Sequence, residues 1–158
     1  MSAQTPHNVH ASALAIGEAG VLVRGPSGAG KSALALAMIG AARQSGLFAR
    51  LIGDDRVLLS VAHSRVIARP HPAIAGRIEK WGEGIVDVEH EAGAVLRCVI
   101  DLAASRAPDE NHAPRMPFAH ELNASIEGVD LPRLVLPAGG SSHEGARRAL
   151  AFIAELAR

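Results

Sequence analysis

A chain of 158 residues can bury one core, but Lys plus Arg balances Asp plus Glu at 16 each, leaving no net field for nucleic acid or an anionic membrane. Three Phe, one Trp and no Tyr offer little for base stacking, and the lone Cys98, inside an apolar run, excludes an intramolecular disulfide and a cysteine metal cluster. No apolar stretch approaches the about 20 residues that span a bilayer, and residues 1–7 lack the basic and apolar regions of a secretory signal. The expectation is therefore one cytoplasmic domain over 1–158, without a nucleic-acid or membrane partner.

Val9, Ala11, Ala13 and Ala15 alternate with His10, Ser12 and Leu14, which predicts a strand. It turns at residues 17–20 and returns over 21–23. Helix-forming sequence over 31–44 predicts a first helix that stops at Ser45-Gly46. Residues 48–52 read as the next strand, and 57–61 with 65–69 as a hairpin. Pro70-His71-Pro72 breaks the pattern, and 74–78 fits a short helix or a loop equally well. A strand is expected over 85–88 and a central one over 94–102, the most β-like run in the chain. Residues 107–117, with three prolines, read as an exposed loop. A late strand over 131–136 contains an edge-type proline, and Ser141 or Ser142 is placed to cap a terminal helix over 144–157. Short strands with helices early and late predict an α/β fold with a mixed β-sheet and flanking helices.

Gly25-Pro26-Ser27-Gly28-Ala29-Gly30-Lys31-Ser32 fits the phosphate-binding P-loop, and it lies between an apolar strand and a helix as that motif requires. The glycines let several N–H groups point at one phosphate, with the positive helix N-terminus behind them. Lys31 is placed to reach the β/γ-phosphates, and the Ser32 hydroxyl is the expected Mg²⁺ ligand. The chain is thus expected to bind a nucleoside triphosphate. Phosphoryl transfer also needs acidic groups. Asp101, ending the run 95–100, has the strand-then-Asp pattern of a Walker B carboxylate. Asp54-Asp55 follows Leu51-Ile52. On an extended chain these two side chains would point to opposite sides, one toward a metal and one toward a substrate hydroxyl, and a Gly-Asp-Asp turn at a strand end fits the spacing equally well. His10, on the strand before the loop, is a structural or a functional histidine on this reading.

The run Val9-His10, the Gly-x-Ser-Gly-x-Gly-Lys-Ser loop beginning fifteen residues after His10, and Arg50-Leu51-Ile52-Gly53-Asp54-Asp55-Arg56-Val57 together resemble the catalytic domain of bacterial HPr kinase/phosphorylase. Residues 76–88, with Glu79 and Gly82-Glu83-Gly84-Ile85, resemble that family's signature. Residues 128–137 resemble the strand leading to its C-terminal segment. The resemblance covers about residues 8–137 and implies a P-loop kinase domain of the HPr kinase/PEP carboxykinase-like type, here a short form without an N-terminal domain. It implies ATP and Mg²⁺ as cofactors and an HPr-like phosphocarrier protein as partner, phosphorylated on serine by a homo-oligomer, typically a hexamer. It also implies phosphorolysis of the phosphoserine in the same site. Residues 25–32 would hold the phosphates, Ser32 and Glu79 the metal, and Asp55 the serine hydroxyl, with Asp54 and His10 adjusting its position and charge. Two departures stand out. Trp81 occupies the signature Arg position, so Arg77 or Lys80 substitutes or the contact is absent, and residues 138–145 replace a Pro-Gly-Arg-Asn-like segment. Arg147 and Arg148 read as solvated charges. A same-fold kinase with another substrate, a non-catalytic ATP-sensing module and a Walker-B NTPase using Asp101 remain as alternatives.

Overall fold

A computed structural model describes residues 5–80, 82–104 and 122–157. The expected loop at 107–117 and the side chain of Trp81 lie outside the described residues. In chain order come β1 (His7–Val9), β2 (Ser12–Ile16), β3 (Ala19–Arg24), α1 (Lys31–Gln44), β4 (Ala49–Gly53), β5 (Val57–Ala62) and β6 (Arg65–Pro70). A 3₁₀ turn (Pro72–Ile74) leads to β7 (Arg77–Lys80), β8 (Gly84–Asp87), β9 (Ala94–Ala103), β10 (Asn123–Ile126), β11 (Val129–Pro137) and α2 (Ser142–Leu156).

The sheet forks at β9. On one side β9 runs parallel to β3. On the other its first residues pair with β6, antiparallel, and its last with β11, parallel. β2 and β4 extend the sheet beyond β3, and β1 and β5 extend it beyond β6. Parallel neighbours near the middle and antiparallel ones outside give the expected mixed α/β sheet, and the long apolar run 94–102 is indeed its centre.

Both faces of the inner strands are covered. Leu14, Ile16, Val21, Val23, Cys98, Ile100 and Leu102 face α1 and α2. Ala11, Ala13, Ala15, Leu22 and Val99 face the layer made by β5, β6, β10 and β11. Strand periodicity of two puts alanines on one side of β2 and Leu/Ile on the other, so the second layer approaches closely. Each large apolar side chain buried in these cores contributes about 1.5–3 kcal/mol. A register shift opposite Gly20 changes the phase of β9, so Leu96 and Cys98 serve different cores. Gly20 is required there, because a Cβ would stand 2.5 Å from the Val95 carbonyl oxygen.

The ends of α1 match the sequence expectation. Gly46, with φ 78°, closes it: Leu47 N–H donates to the Ala42 carbonyl and Gly46 N–H to that of Arg43. Ser141 caps α2 by accepting from the Glu144 N–H at 3.2 Å. Other expectations need correction. The first predicted strand is two, broken at His10-Ala11, because β1 pairs with β5 while β2 pairs with β3 and β4. Phe48 lies outside β4. Residues 77–80, within and beyond the stretch that fitted helix or loop, form β7, the hairpin partner of β8. The late strand is no simple edge: its first half pairs with β10 and its second with β9. Pro132 is tolerated because the β9 pairing starts at Arg133.

Candidate functional site

Direction of travel in the sheet brings the candidate residues together. β3 runs up into the P-loop, β2 is antiparallel to it, and β4 is antiparallel to β2, so β3 and β4 end on the same side. β9 and β11 run parallel to β3 and end there as well. The crevice outside the carboxyl ends of parallel strands is where α/β sheets bind ligands.

The loop is braced from its neighbours. At Gly25 a Cβ would stand 3.0 Å from that of Leu102, so glycine lets the chain leave β3 against the end of β9. Ala29 N–H donates to the Pro26 carbonyl, and Gly139 N–H donates to that of Ala29, both at 3.0 Å. Gly30 precedes α1 with φ 100° and supplies no side-chain cap. The first-turn N–H groups are therefore directed at the loop, with the positive end of the helix dipole behind them. Lys31 is buried, and its Nζ donates to the Gly25 and Pro26 carbonyls at 2.9 and 3.2 Å.

Asp54 lies just past β4, 4% exposed, and turns toward α1. Its carboxylate accepts from Ser32 Oγ at 2.7 and 2.9 Å, from Ser12 Oγ at 2.7 Å and from the Glu79 N–H at 3.4 Å. Every one of these donors is neutral. A buried carboxylate beside a P-loop hydroxyl is a set of hard oxygens, the donor type that Mg²⁺ takes, so the residues present fit that ion. Glu79 enters the site through its backbone, while its side chain is exposed on the β7–β8 hairpin. Among the described residues no three His, Cys, Asp or Glu side chains form a cluster that could hold a metal by themselves. Ser12 was not singled out from the sequence. Its signal was a hydroxyl in phase with Leu14 and Ile16, on the face of β2 that packs on the helices.

Asp55 is exposed beside His10 whereas Asp54 is buried, and of the two arrangements open from the sequence the structure has the turn. Asp55 has φ 68°, so a left-handed turn and not strand alternation separates the two carboxylates. His10 sits in the break between β1 and β2, not on a strand. Its Nδ1 lies 2.8 Å from the Asp55 carbonyl oxygen and 2.9 Å from the Asp55 carboxylate. Both are acceptors, so Nδ1 carries the hydrogen. Asp55 and His10 are both more than half exposed, and together they form the outer wall of the site.

Asp101 does not serve as a second metal-facing carboxylate. Arg24 holds it through Nε and Nη2, both at 2.8 Å, and Arg133 donates to the same group. Burial pushes the Asp101 carboxyl up, but the hydrogen bonds from Arg24 and then Arg133 outweigh it and hold the group below the ordinary carboxylate range. The candidate substitutes for the signature arginine are also engaged. Lys80 pairs with Glu83 at 3.2 Å and Arg77 with Asp87 at 4.0 Å, on the exposed hairpin. Arg147 pairs with Glu144 on the surface and Arg148 is exposed, both as expected, and Arg148 also stands at the rim of a cavity beside the P-loop.

The chain is similar to known proteins. The family model of the HPr Serine kinase C-terminal domain matches residues 2–143. An HPr kinase/phosphorylase from Mycoplasma mycoides is 40% identical over 135 residues, which cover 81% of this chain and 41% of that protein. The chain thus spans about two fifths of the length of this curated relative. The solved structure of the Hpr(Ser) kinase/phosphatase from Coxiella burnetii matches with a TM-score of 0.71 at 23% identity, over 96% of this chain and 99% of that one. The likeness to that structure shows a common fold.

Proposed function

The chain belongs to the HPr serine kinase C-terminal-domain family, and on that premise we propose that it is an ATP- and Mg²⁺-dependent kinase of a serine in an HPr-like phosphocarrier protein. The observation that carries this reading is the division of labour at one strand end. Asp54 turns inward to the Ser32 hydroxyl, while Asp55 is exposed beside His10, so one side of the P-loop carries both a buried carboxylate suited to a metal and a solvent-facing one. A sensing module would have no use for the second.

The P-loop N–H groups and the first turn of α1 bind the phosphates. Lys31 exchanges its two carbonyl acceptors for β/γ-phosphate oxygens. Ser32 and Asp54 would hold the metal, with Glu79 close by on β7. Mg²⁺ bound there would offset the charge that develops on the phosphate oxygens. Asp55 accepts the proton of the substrate serine as its oxygen attacks the γ-phosphorus, and the His10 hydrogen bond fixes the carboxylate for this task. Phosphorolysis would use the same positions: an oxygen of inorganic phosphate attacks the phosphoserine phosphorus to form pyrophosphate, and Asp55 returns a proton to the departing serine oxygen. Hexameric assembly and a cytoplasmic location belong to the same proposal and rest on family resemblance. The described residues contain no helix long and apolar enough to cross a membrane.

The test is incubation with labelled ATP, Mg²⁺ and an HPr-type carrier, scored for acid-stable phosphoserine. Asp55→Asn should lower transfer by roughly 10²–10⁴-fold while ATP affinity stays within about threefold. Retained transfer in that variant would remove Asp55 from the role of base. No label with the unaltered protein, despite ATP binding, would overturn the choice of substrate.

A further inference from the structure

Asp54 and Asp55 lie on the β4 side of the P-loop. On the opposite side, over the ends of β9 and β11, a cavity of about 210 Å³ opens between α1 and the start of α2. One wall is the P-loop itself, Ala29 and Gly30. The floor is apolar, built from Leu34, Leu102 and Leu136, all buried. The rim is polar, with Ser142, Glu144 and Arg148. Arg147 binds Glu144 through two hydrogen bonds, which neutralises that carboxylate. Arg148 has no hydrogen bond or ion pair within the described residues. Glycine at 145 keeps the space open. A Cβ there would stand 3.1 Å from Leu34 Cδ1 and 3.6 Å from Leu136 Cδ1, so any side chain would press on the floor.

We propose that this cavity receives the nucleobase of the triphosphate, with Arg148 at its mouth facing the ribose and α-phosphate. The inference rests on the nucleotide-binding reading above and extends it to the part of the ligand that the P-loop does not touch. A triphosphate anchored on the loop has two directions in which to extend. The reacting end belongs beside Asp54 and Asp55, which leaves the nucleoside to run the other way, across the ends of β3, β9 and β11. There it meets a slot with an apolar floor and a polar, cationic rim, the composition of a small-molecule site. Its volume is below the roughly 300–1,000 Å³ of a pocket that encloses a drug-sized ligand, so it suits one ring system, with the phosphates held outside it. Residues 140–145 supply much of the rim.

The test compares ATP with inorganic tripolyphosphate, which has the phosphates and no base, both with Mg²⁺, by titration calorimetry. Ala33 is an exposed α1 residue that lines the cavity, and Ser142 lies on the facing wall. Ala33→Phe and Ser142→Leu fill the space from opposite sides, so both misfolding in the same way is not expected. The unaltered protein should bind ATP at least about tenfold tighter than tripolyphosphate. Each filled variant should lose that advantage while its tripolyphosphate affinity stays within about twofold. Equal affinities in the unaltered protein, or an ATP advantage that survives both fillings, would overturn the proposal. So would a parallel loss of tripolyphosphate in both variants, because the fillings would then be acting on the loop and not on the base. If neither ligand bound the unaltered protein, the nucleotide-binding reading itself would fail, a result distinct from all of these.

Discussion

Asp54 and Asp101 are both buried carboxylates near the carboxyl ends of strands in one sheet, yet they keep opposite company. Asp101 lies between two guanidiniums, with a fork of hydrogen bonds from Arg24 and a hydrogen bond from Arg133 Nε. Its charge is balanced within the fold. Asp54 meets two hydroxyls and a backbone N–H, all neutral. Neutral donors orient a buried carboxylate but do not balance its charge, and that makes Asp54 the group suited to a cation arriving with a ligand. One carboxylate joins strands and the other, on the proposed function, would serve the reaction, although both follow an apolar strand in the sequence.

Substitution can break this contrast, and the largest effect belongs to Asp54. Asp54→Asn should reduce phosphoryl transfer by about 10²-fold or more, because the Ser32 site loses its anionic oxygen. Its thermal stability should move by only about 1 kcal/mol, since an amide oxygen still accepts from Ser12. Transfer assays and calorimetric melting on one preparation check both parts.

Asp101→Asn should do the reverse. Transfer should change by less than about threefold, while stability falls by about 2–3 kcal/mol as two arginines lose their shared carboxylate. That figure is below the roughly 3–5 kcal/mol of a fully buried pair because Arg24 remains partly in solvent. For a chain of this size the melting temperature should drop by roughly 4–12 °C. A variant that lost transfer without losing stability would instead restore Asp101 as a catalytic carboxylate.

The smallest effect is on acid stability. The folded Asp101 carboxyl is held below its ordinary range, so its contribution to stability is complete at neutral pH. It is lost as pH falls from the ordinary carboxylate value of about 3.9 through the depressed folded value. Urea titrations between neutrality and acid should therefore show a steeper loss in the unaltered protein than in Asp101→Asn. Parallel pH curves would mean that the arginines do not hold the charge as described.

The same contrast marks what was legible in the sequence. The P-loop, both helices with their caps and the β5–β6 hairpin were readable because their determinants lie within a few residues of one another: glycines at turns, a serine at a cap, alternation along a strand. Asp54 and Asp55 were found as a pair, with strand alternation and a Gly-Asp-Asp turn both open on spacing alone, and it is the turn that forms. Features that depend on a distant partner were not readable. The break at His10 exists because β1 and β2 pair with different strands. β7 was left undecided and β10 was missed, because each is a short strand defined by its hairpin partner. Asp101 followed a strand as a metal ligand would, and only Arg24 and Arg133, far away in sequence, reveal its role. Arg148 looked like any surface charge until the start of α2 was placed against the P-loop.

The bracing of the P-loop also bears on how the protein acquires its affinity. The loop is a short local motif, yet Gly25 leans on Leu102, and the Ala29 carbonyl is held by Gly139, both far downstream. Contacts at such separation form slowly, because a long stretch of chain must be closed before they return any stability. During synthesis the eight residues of the motif leave the ribosome well before the strands that shape them. A fully shaped P-loop is thus a late event in the birth of this molecule, and on the proposed function a bound nucleotide would report that β9 and the segment after β11 are already in place.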